Sequence, residues 1–240
     1  MIVSFILFLF CSLSVCSSYE LYRVNSDGNY GYHLTNFFNF DDQINVYNYI
    51  LNASKGAIEY EELKNANVKR SYPIAYHNLV YTGNQTHNCD TPKMLFDMAD
   101  DILTIVRRAF PYDTLLPTQK HNSLYAQIFH HESTMKMHTD GGVSWGVSFN
   151  IATAADFQFG EYLIHFKPGD IFIGDFGKVI HAVKKVYPIS PDVADSFDLF
   201  GRDRCSIQVR YVDFSRPLSL FNISLPMSIS DFKILFKFYK

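Results

Sequence analysis

Apolar and polar residues alternate with a period of two through most of the second half of the chain. From residue 143 to residue 151 the odd-numbered positions are apolar and the even-numbered positions are small or polar. Alternation of this kind predicts β-strands, because successive side chains of a strand point to opposite faces. Two apolar runs that flank Pro168 and Gly169 predict two strands joined by a turn. The same pattern continues in residues 181–188 and 204–214.

Two segments of the first half show the period of a helix instead. Residues 41–56 begin with Asp41 or Asp42 as the predicted cap and end before Gly56. The predicted apolar face of this helix contains Ile44, Tyr47, Ile50 and Leu51.

The second helical segment covers residues 91–111, with Thr91 as its predicted cap, Pro92 in the first turn and Pro111 after its end. Its apolar stripe contains Met94, Leu95, Met98, Ile102, Ile105, Val106 and Ala109. Because helices precede many short strands, we predict an α+β fold. It has a double-stranded β-helix (jelly roll) core with N-terminal flanking helices.

The N-terminus is typical of a secretory signal peptide. Residues 2–10 are nearly all apolar and small residues follow, although no Lys or Arg precedes the apolar run. An uncleaved signal anchor and a wrongly assigned start codon are the alternatives. Three sequons, at Asn52, Asn84 and Asn222, favour a glycoprotein of the secretory pathway, either in the endoplasmic reticulum lumen or secreted. Mature cysteines Cys89 and Cys205 would form one disulfide or stay free and partly buried.

Composition and charge narrow the function classes. The chain has 240 residues, of which 48% are hydrophobic and 19% are charged, so it can bury a substantial core. The net charge is −3, and the basic residues near Lys64 follow a run of glutamates. We therefore expect no strong nucleic-acid-binding patch. We also expect no membrane span in the mature chain, and a monomer.

His138 and Asp140 lie two residues apart, and His181 follows a Gly-Asp turn and a predicted strand. Two histidines and one aspartate can occupy one face of an octahedral metal, which is the ligand set of non-haem Fe(II) oxygenases. Zinc hydrolysis is the alternative, with Glu132 as the local candidate for a general base. We predict His138, Asp140 and His181 as metal ligands and catalytic residues.

Arg204, Ser206, Gln208 and Arg210 share one face of the last predicted strand, and Cys205, Ile207 and Val209 share the other. Two arginines that point into a core require anions, which a dicarboxylate would supply through bidentate contacts. Alternatively, the arginine face is outside and wet, and the other face alone is core. The alternation does not choose between these interpretations.

The order of these elements, "MHTD…FQFG…KPGDIFIGDFGKVIHAV…RCSIQVRY", resembles the AlkB-like Fe(II)/2-oxoglutarate dioxygenases over residues 122–213. The resemblance implies that His138, Asp140 and His181 bind Fe(II) and that Arg204 and Arg210 bind the cosubstrate 2-oxoglutarate. It also implies that O2 is consumed in hydroxylating a carbon atom. In nucleic-acid members of the family, the hydroxymethyl group then leaves as formaldehyde.

The resulting division of the chain has four parts. We expect a signal peptide at 1–17, a helical or lid region at 18–118 that packs on the core, the dioxygenase core at 119–216 and an extension at 217–240. Fe(II), 2-oxoglutarate and O2 are the expected cofactor and cosubstrates.

Several positions depart from the family pattern. Gln127 and Phe129 stand where the family often has Asn and Tyr, Ser206 replaces an Asn, and Gly142 replaces an acid found in some members. We expect Gln127 and Ser206 to contribute to the cosubstrate site nonetheless. The segment after His181 is longer than in the family, and we expect residues 187–203 to form a surface loop near the mouth of the site.

Two other functions fit the same residues. A prolyl-hydroxylase-like protein hydroxylase of the secretory pathway shares the triad, but that branch usually has Lys or Arg about ten residues after the distal His, where this chain has Pro191. A jelly-roll binding module without activity is the other. The prime substrate could be a protein, a small molecule or a modified nucleic acid.

Overall fold

Two antiparallel sheets carry the fold in the computed structural model of this chain. The model describes residues 4–6, 19–26, 28–54, 60–62, 69–77, 93–118, 123–129, 133–140, 143–200 and 204–212. The strands are β1 (Ser4–Ile6), β2 (Glu20–Ser26), β3 (Asn29–Thr35), β4 (Tyr60–Glu62), β5 (Lys69–His77), β6 (Ser123–Phe129), β7 (Met135–His138), β8 (Val143–Ile151), β9 (Ala155–Phe159), β10 (Tyr162–Phe166), β11 (Ile171–Asp175), β12 (His181–Val186) and β13 (Arg204–Val212). The helices are α1 (Phe40–Ser54), α2 (Lys93–Ala109), α3 (Pro191–Ala194) and a 3-10 helix, Asp195–Phe200.

Strands from the second half of the chain, which the sequence predicts to be rich in strands, form the centre of the larger sheet. This major sheet has the order β1-β2-β3-β11-β8-β13-β6-β5-β4, and the minor sheet has the order β10-β9-β12-β7. From β6 onward the chain passes repeatedly between the two sheets, with β9 and β10 as a hairpin in the minor sheet, as in a double-stranded β-helix. The turn between β10 and β11, which carries the chain from the minor sheet to the major sheet, contains Gly169, whose φ of 86° favours glycine. An added Cβ there would lie 2.2 Å from the carbonyl oxygen of Phe38.

The central strands β8 and β13 are buried on both faces. Their apolar residues, such as Phe149 and Ile207, pack into one cluster with α1 and α2. Their polar and small residues point the other way, toward the minor sheet and a second cluster that contains Phe157 and Phe172. The core therefore has two layers, and the predicted functional face of β13 lies between the sheets.

The cap of helix α1 lies two to three residues before the predicted position. Asn39, and not Asp41 or Asp42, is the cap: its Oδ1 accepts a hydrogen bond of 2.8 Å from the backbone N–H of Asp42. The carboxylate of Asp42 accepts one of 3.4 Å from the N–H of Asn39 in return. This reciprocal pair satisfies two N–H groups that a helix start leaves open. Tyr47 and Ile50 are buried as predicted.

The helix α2 matches the predicted second helix, although its predicted cap residues, Thr91 and Pro92, lie outside the described residues. Leu95, Ile102 and Val106 are buried as the stripe predicts, whereas Met94 is exposed. Among the described residues no helix is both long enough and apolar enough to cross a membrane.

Residues 187–200, the described part of the long segment after β12, are not a surface loop near the site. They fold into α3 and the 3-10 helix and pack on α1, where Phe197 is 1% exposed and its ring centroid lies 5.0 Å from that of Tyr47. The hydroxyl of Tyr47 donates a 3.0 Å hydrogen bond to the carbonyl of Phe197. Apolar residues within the insert drive this docking, because leaving them in water would be unfavourable.

The N-terminal part contributes strands as well as helices. The hairpin of β2 and β3 extends the major sheet beyond β11, and β4 and β5 extend it beyond β6. The major sheet thus contains strands from both sides of residue 118. The short strand β1 lies within the segment predicted as a signal peptide and pairs with β2, and cleavage there stays a prediction. Cys205 is free and buried, whereas Cys89 lies outside the described residues.

Candidate metal and cosubstrate site

Two histidines face each other across neighbouring strands of the minor sheet. His138 ends β7 and His181 begins β12, and the antiparallel register pairs them directly. Their ring centroids are 4.3 Å apart. Directly opposed residues of an antiparallel pair have side chains close together, so the pairing itself brings these two distant positions into one site.

Asp140 completes the cluster between the two rings. Its Oδ1 lies 3.5 Å from Nε2 of His138, and its Oδ2 lies 3.5 Å from Nε2 of His181. One atom from each of these three residues lies within 4.8 Å of the others. The backbone N–H of Asp140 donates a 2.9 Å hydrogen bond to the carbonyl of Phe176, which ties the ligand loop to the turn before β12.

Both histidines are held in the tautomer that a metal ligand needs. Nδ1 of His138 lies 2.7 Å from the carbonyl oxygen of Lys136, and Nδ1 of His181 lies 3.0 Å from that of Val179. A carbonyl oxygen only accepts hydrogen bonds, so each Nδ1 carries the proton and each neutral ring keeps a lone pair on Nε2. Backbone carbonyls at this position are the usual outer partners of metal-bound histidine.

Burial keeps His181 neutral. Loss of hydration lowers the pKa of His181 to about 4, and the hydrogen bond to Val179 opposes this only in part. The ring therefore needs no deprotonation to bind a cation at neutral pH. The donor set, two imidazoles and a carboxylate, fits Fe(II) and similar divalent metals.

Arg210 on β13 braces the aspartate. Its guanidinium donates to Oδ2 of Asp140 and also donates a 3.1 Å hydrogen bond to Oε1 of Gln208. The same group lies 5.1 Å from the ring centroid of Phe176. Arg210 is 6% exposed, so its charge is compensated mainly by the ligand carboxylate.

Arg204, on the same face of β13, has no such compensation. It is 2% exposed, and none of the described carboxylates lies within ion-pair distance of it. Its Nε donates a 2.6 Å hydrogen bond to Oδ1 of Asn150, and its guanidinium lies 5.2 Å from the ring centroid of Phe129. Burial lowers the pKa of Arg204 to about 10, so it stays charged at neutral pH. A buried, uncompensated cation beside a cavity predicts an anionic ligand.

One cavity joins the triad to Arg204. Its volume is about 50 Å³, and Ser206, Gln208, Gln127, His138 and Arg204 are among its lining residues. The interpretation of a wet arginine face on β13 is therefore wrong, because both faces of that central strand are buried. Phe157, Phe176 and Val183 make the opposite wall apolar.

Sequence reasoning missed Asn150 as a residue of this site. It placed Gln208 on the arginine face of β13 but did not predict its role as a hydrogen-bond donor. Asn150 occupies an even, polar position of the alternating strand β8, directly opposite Ser206 on β13. A fully buried Asn in a strand needs hydrogen-bond partners, but the burial of Asn150 could not be read from the sequence. Gln208 donates to Ser148 at 2.8 Å and to Ser206 at 2.6 Å. Glu132 and Gly142 lie outside the described residues.

No protein-family model matches the chain. A protein of Acanthamoeba polyphaga mimivirus, described as a probable lanosterol 14-alpha demethylase, is 34% identical over 177 residues, which make up 71% of this chain and 25% of that protein. The chain thus spans about a quarter of the length of the curated relative it matches.

Among solved structures, OsALKBH1 has a TM-score of 0.61 at 13% identity, covering 78% of this chain and 99% of that one. A prolyl-4-hydroxylase of Pseudomonas putida has a TM-score of 0.47 at 8% identity, covering 76% of this chain and 92% of that one. The likeness to OsALKBH1 at this low identity shows a shared fold, in agreement with the fold that the motif resemblance implies. The α+β jelly-roll fold is likewise confirmed.

Proposed function

We propose that the protein is an Fe(II)- and 2-oxoglutarate-dependent dioxygenase that hydroxylates a carbon atom of its substrate. One observation carries the proposal: a two-histidine, one-carboxylate cluster and an uncompensated buried arginine line the same cavity. The uncompensated arginine favours an anionic cosubstrate beside the metal over hydrolysis of a substrate by zinc-bound water alone. The Nδ1–H tautomer of both histidines favours a metal centre over a jelly-roll module that binds no metal.

His138, Asp140 and His181 would hold the metal through two Nε2 atoms and the carboxylate. Bound Fe(II) supplies the redox chemistry by which O2 converts 2-oxoglutarate to succinate and CO2, with the second oxygen atom inserted into a C–H bond of the substrate. Arg210 keeps the carboxylate of Asp140 oriented, and Arg204 would bind the far carboxylate of the cosubstrate through its Nη groups. Gln127, Ser206 and Gln208 would contribute neutral polar contacts to the same ligand.

The direct test is formation of succinate from 2-oxoglutarate by the full chain with Fe(II) and ascorbate. Uncoupled turnover without a prime substrate suffices for this assay. We expect His138→Ala to abolish turnover, because it removes one Nε2 ligand.

His165→Ala is the matched control, since His165 lies in the same sheet but is exposed and bonded to Asp156. It should retain turnover. Equal activity in wild type and His138→Ala would contradict the proposal. So would the absence both of succinate and of metal-dependent binding of 2-oxoglutarate by the wild-type protein.

Within this class of oxygenase, the product is either a stable hydroxylated molecule or a demethylated one. Both reactions begin with insertion of oxygen into a C–H bond. When that carbon is a methyl group on nitrogen, the hydroxymethyl product releases formaldehyde. Formaldehyde measured beside succinate during substrate screening separates demethylation from stable hydroxylation. The name of the mimivirus relative describes a protein four times as long as the matched part, so sterol demethylation is not assigned to this chain.

A prolyl-hydroxylase-like protein hydroxylase is the second candidate. Its typical cation position after the distal histidine is Pro191, which starts α3 in the insert that packs on α1. The uncompensated cation of this site is instead Arg204 on β13. This arrangement favours the AlkB-like candidate, and proline hydroxylation in peptide libraries would favour the other.

We further propose that the protein enters the secretory pathway as a glycoprotein. The support is the apolar N-terminal segment and the three sequons. Expression of the full chain in eukaryotic cells, followed by N-terminal sequencing of the product and treatment with an N-glycosidase, tests this. A product that starts near residue 18 and shrinks on treatment supports the proposal, and an intact, unmodified product contradicts it.

A further inference from the structure

We propose that Asn150 is a positioning residue, which fixes Arg204 by its Nε and leaves its charge free for the far carboxylate of the cosubstrate. This inference rests on the proposed function for the identity of that ligand. It goes beyond the proposed function by assigning the selectivity for a dicarboxylate to a residue outside the iron triad and outside the arginine pair.

Every polar group of the Asn150 side chain has a partner. Its Oδ1 accepts the 2.6 Å hydrogen bond from Nε of Arg204. Its Nδ2 lies 3.0, 2.9 and 2.9 Å from the carbonyl oxygens of Thr153, Phe166 and Lys167, respectively. Because those carbonyls can only accept, the amide is oriented with its oxygen toward Arg204. The side chain is therefore locked, and it holds the guanidinium from one edge.

The hydrogen bond from Nε leaves both Nη groups of Arg204 available. Arg204 makes no other hydrogen bond among the described residues, and it lines the cavity. The ring centroids of Phe129 and Phe166 lie 5.2 and 5.8 Å from Cζ of Arg204, so these rings restrict the movement of the guanidinium. A carboxylate that enters the cavity meets the two-pronged edge of the guanidinium, which is the geometry for a bidentate contact.

The neutrality of Asn150 is as important as its position. Arg210 faces the same cavity, but the carboxylate of Asp140 already compensates it. An acidic residue at position 150 would compensate Arg204 in the same way, and the cavity would then lose its attraction for a second carboxylate. An amide holds the guanidinium without removing its charge.

The backbone around Asn150 is built to keep the amide in place. Asn150 exchanges backbone hydrogen bonds with the β10–β11 turn, through Asp170 at 3.1 Å and Gly169 at 2.7 Å. Two residues further on, Ala152 has a φ of 76°, a conformation that residues with a Cβ rarely adopt. Thr153 ties the same turn to the carbonyls of Tyr187 and Pro188. Such a locally costly turn persists because surrounding contacts fix it.

The test compares two 2-oxo acids of five carbons in metal-loaded full-length protein, by calorimetry. 2-Oxoglutarate has the far carboxylate and 2-oxopentanoate lacks it, so the ratio of their dissociation constants measures recognition of that carboxylate alone. We expect Asn150→Ala to reduce the wild-type preference about tenfold, because Arg204 loses its fixed orientation. Asn150→Asp should reduce it about a hundredfold, because the charge is compensated as well.

Phe197→Ala is the matched control, since it removes a buried side chain that packs on α1, away from Asn150 and Arg204. It should lower the melting temperature and leave the preference for the dicarboxylate unchanged. The inference is overturned if the two Asn150 variants keep the wild-type preference, or if Phe197→Ala loses it to the same extent. A wild-type protein that binds both acids equally overturns it too. A wild-type protein that binds neither acid contradicts the proposed function, and with it the ligand assigned to Arg204.

A second measurement needs no folded Asn150 variant. The Nε–H signal of Arg204 in a nitrogen-15 spectrum, assigned by its loss in Arg204→Lys, should be protected from solvent exchange before any ligand is added. Addition of 2-oxoglutarate should leave that signal in place, because Nε stays on Asn150. A large shift of the Nε–H signal on binding, or rapid exchange without ligand, would mean that Asn150 does not hold Arg204.

Discussion

At the scale of single residues, burial of His181 makes the stability of the metal-free protein depend on pH. Its pKa in the folded chain is about 4, below the ordinary value of 6.5. Between these two values the unfolded chain binds a proton that the folded chain does not, so stability is lost as the pH falls from 6.5 toward 4. Above pH 6.5 this contribution vanishes.

We expect the free energy of unfolding of the metal-free protein to fall by about 2 kcal/mol between pH 7 and pH 5 through His181 alone. Urea denaturation of wild type and His181→Gln at both pH values measures it. The variant should lose about 2 kcal/mol less than the wild type over that interval. Equal losses in the two proteins would show that His181 is not the responsible group.

Gly146 lies opposite Arg210 in the pairing of β8 with β13. A Cβ at this position would lie 3.0 Å from Cγ of Arg210 and 3.0 Å from Cδ2 of Phe176, which is closer than side chains normally pack. We expect Gly146→Ala to destabilise the fold by about 1–3 kcal/mol and to weaken metal binding roughly tenfold, because Arg210 is displaced from Asp140. Chemical denaturation and metal titration measure the two effects.

Gly31→Ala gives the comparison for that prediction. Its Cβ would lie 2.5 Å from Phe172, in the same interior but away from Arg210. It should destabilise the fold while metal affinity stays near the wild-type value. If both variants bind metal equally well, Arg210 does not act through Asp140.

At the scale of elements, the insert after β12 packs on helix α1, on the side of the major sheet that faces away from the cavity. Because Phe197 packs against α1 and not against the cavity, Phe197→Ala should destabilise the fold by about 3–5 kcal/mol. The affinity of the folded fraction for 2-oxoglutarate should not change. Thermal denaturation and calorimetry at a temperature where the variant is folded check this. A changed affinity would place the insert at the site mouth, as the sequence suggested.

The elements also show what the sequence could and could not predict. Periodicity assigned the faces of β8 and β13, because alternation states which residues point the same way. It could not state which layer covers each face, so the direction of Arg204 stayed open until the pairing of β13 between β8 and β6 was known. The strands β2 and β3 were missed because Tyr, Asn and Gly interrupt their apolar pattern. The link between Asn150 and Arg204 joins two strands and leaves no local signal.

At the scale of the whole molecule, the three metal ligands are held together by protein contacts, through the pairing of β7 with β12 and the backbone hydrogen bond from Asp140 to Phe176. Binding of metal should then stabilise the native chain without refolding it. At a hundredfold excess of Fe(II) over its dissociation constant, held anaerobically, we expect about 2.7 kcal/mol of stabilisation. That corresponds to a rise of roughly 5–10 °C in Tm.

Scanning calorimetry tests this, with 2-oxoglutarate added in a second step. The cosubstrate should raise the Tm further when metal is present. His138→Ala should show no response to Fe(II), and His165→Ala should respond like the wild type. A metal response that survives in His138→Ala would place the binding elsewhere on the protein.

The position of β13 in the major sheet has a consequence for how the chain is made. This strand carries both arginines and fits between β8 and β6, yet it follows them in the sequence. While residues 204–212 are still inside the ribosome, β13 cannot pair. The edges of β8 and β6 that it will join are then without a partner strand. Open edges of that kind recruit other chains. Arrival of β13 closes the sheet and brings both buried arginines between the sheets in the same step, so no partly synthesised chain can have one without the other.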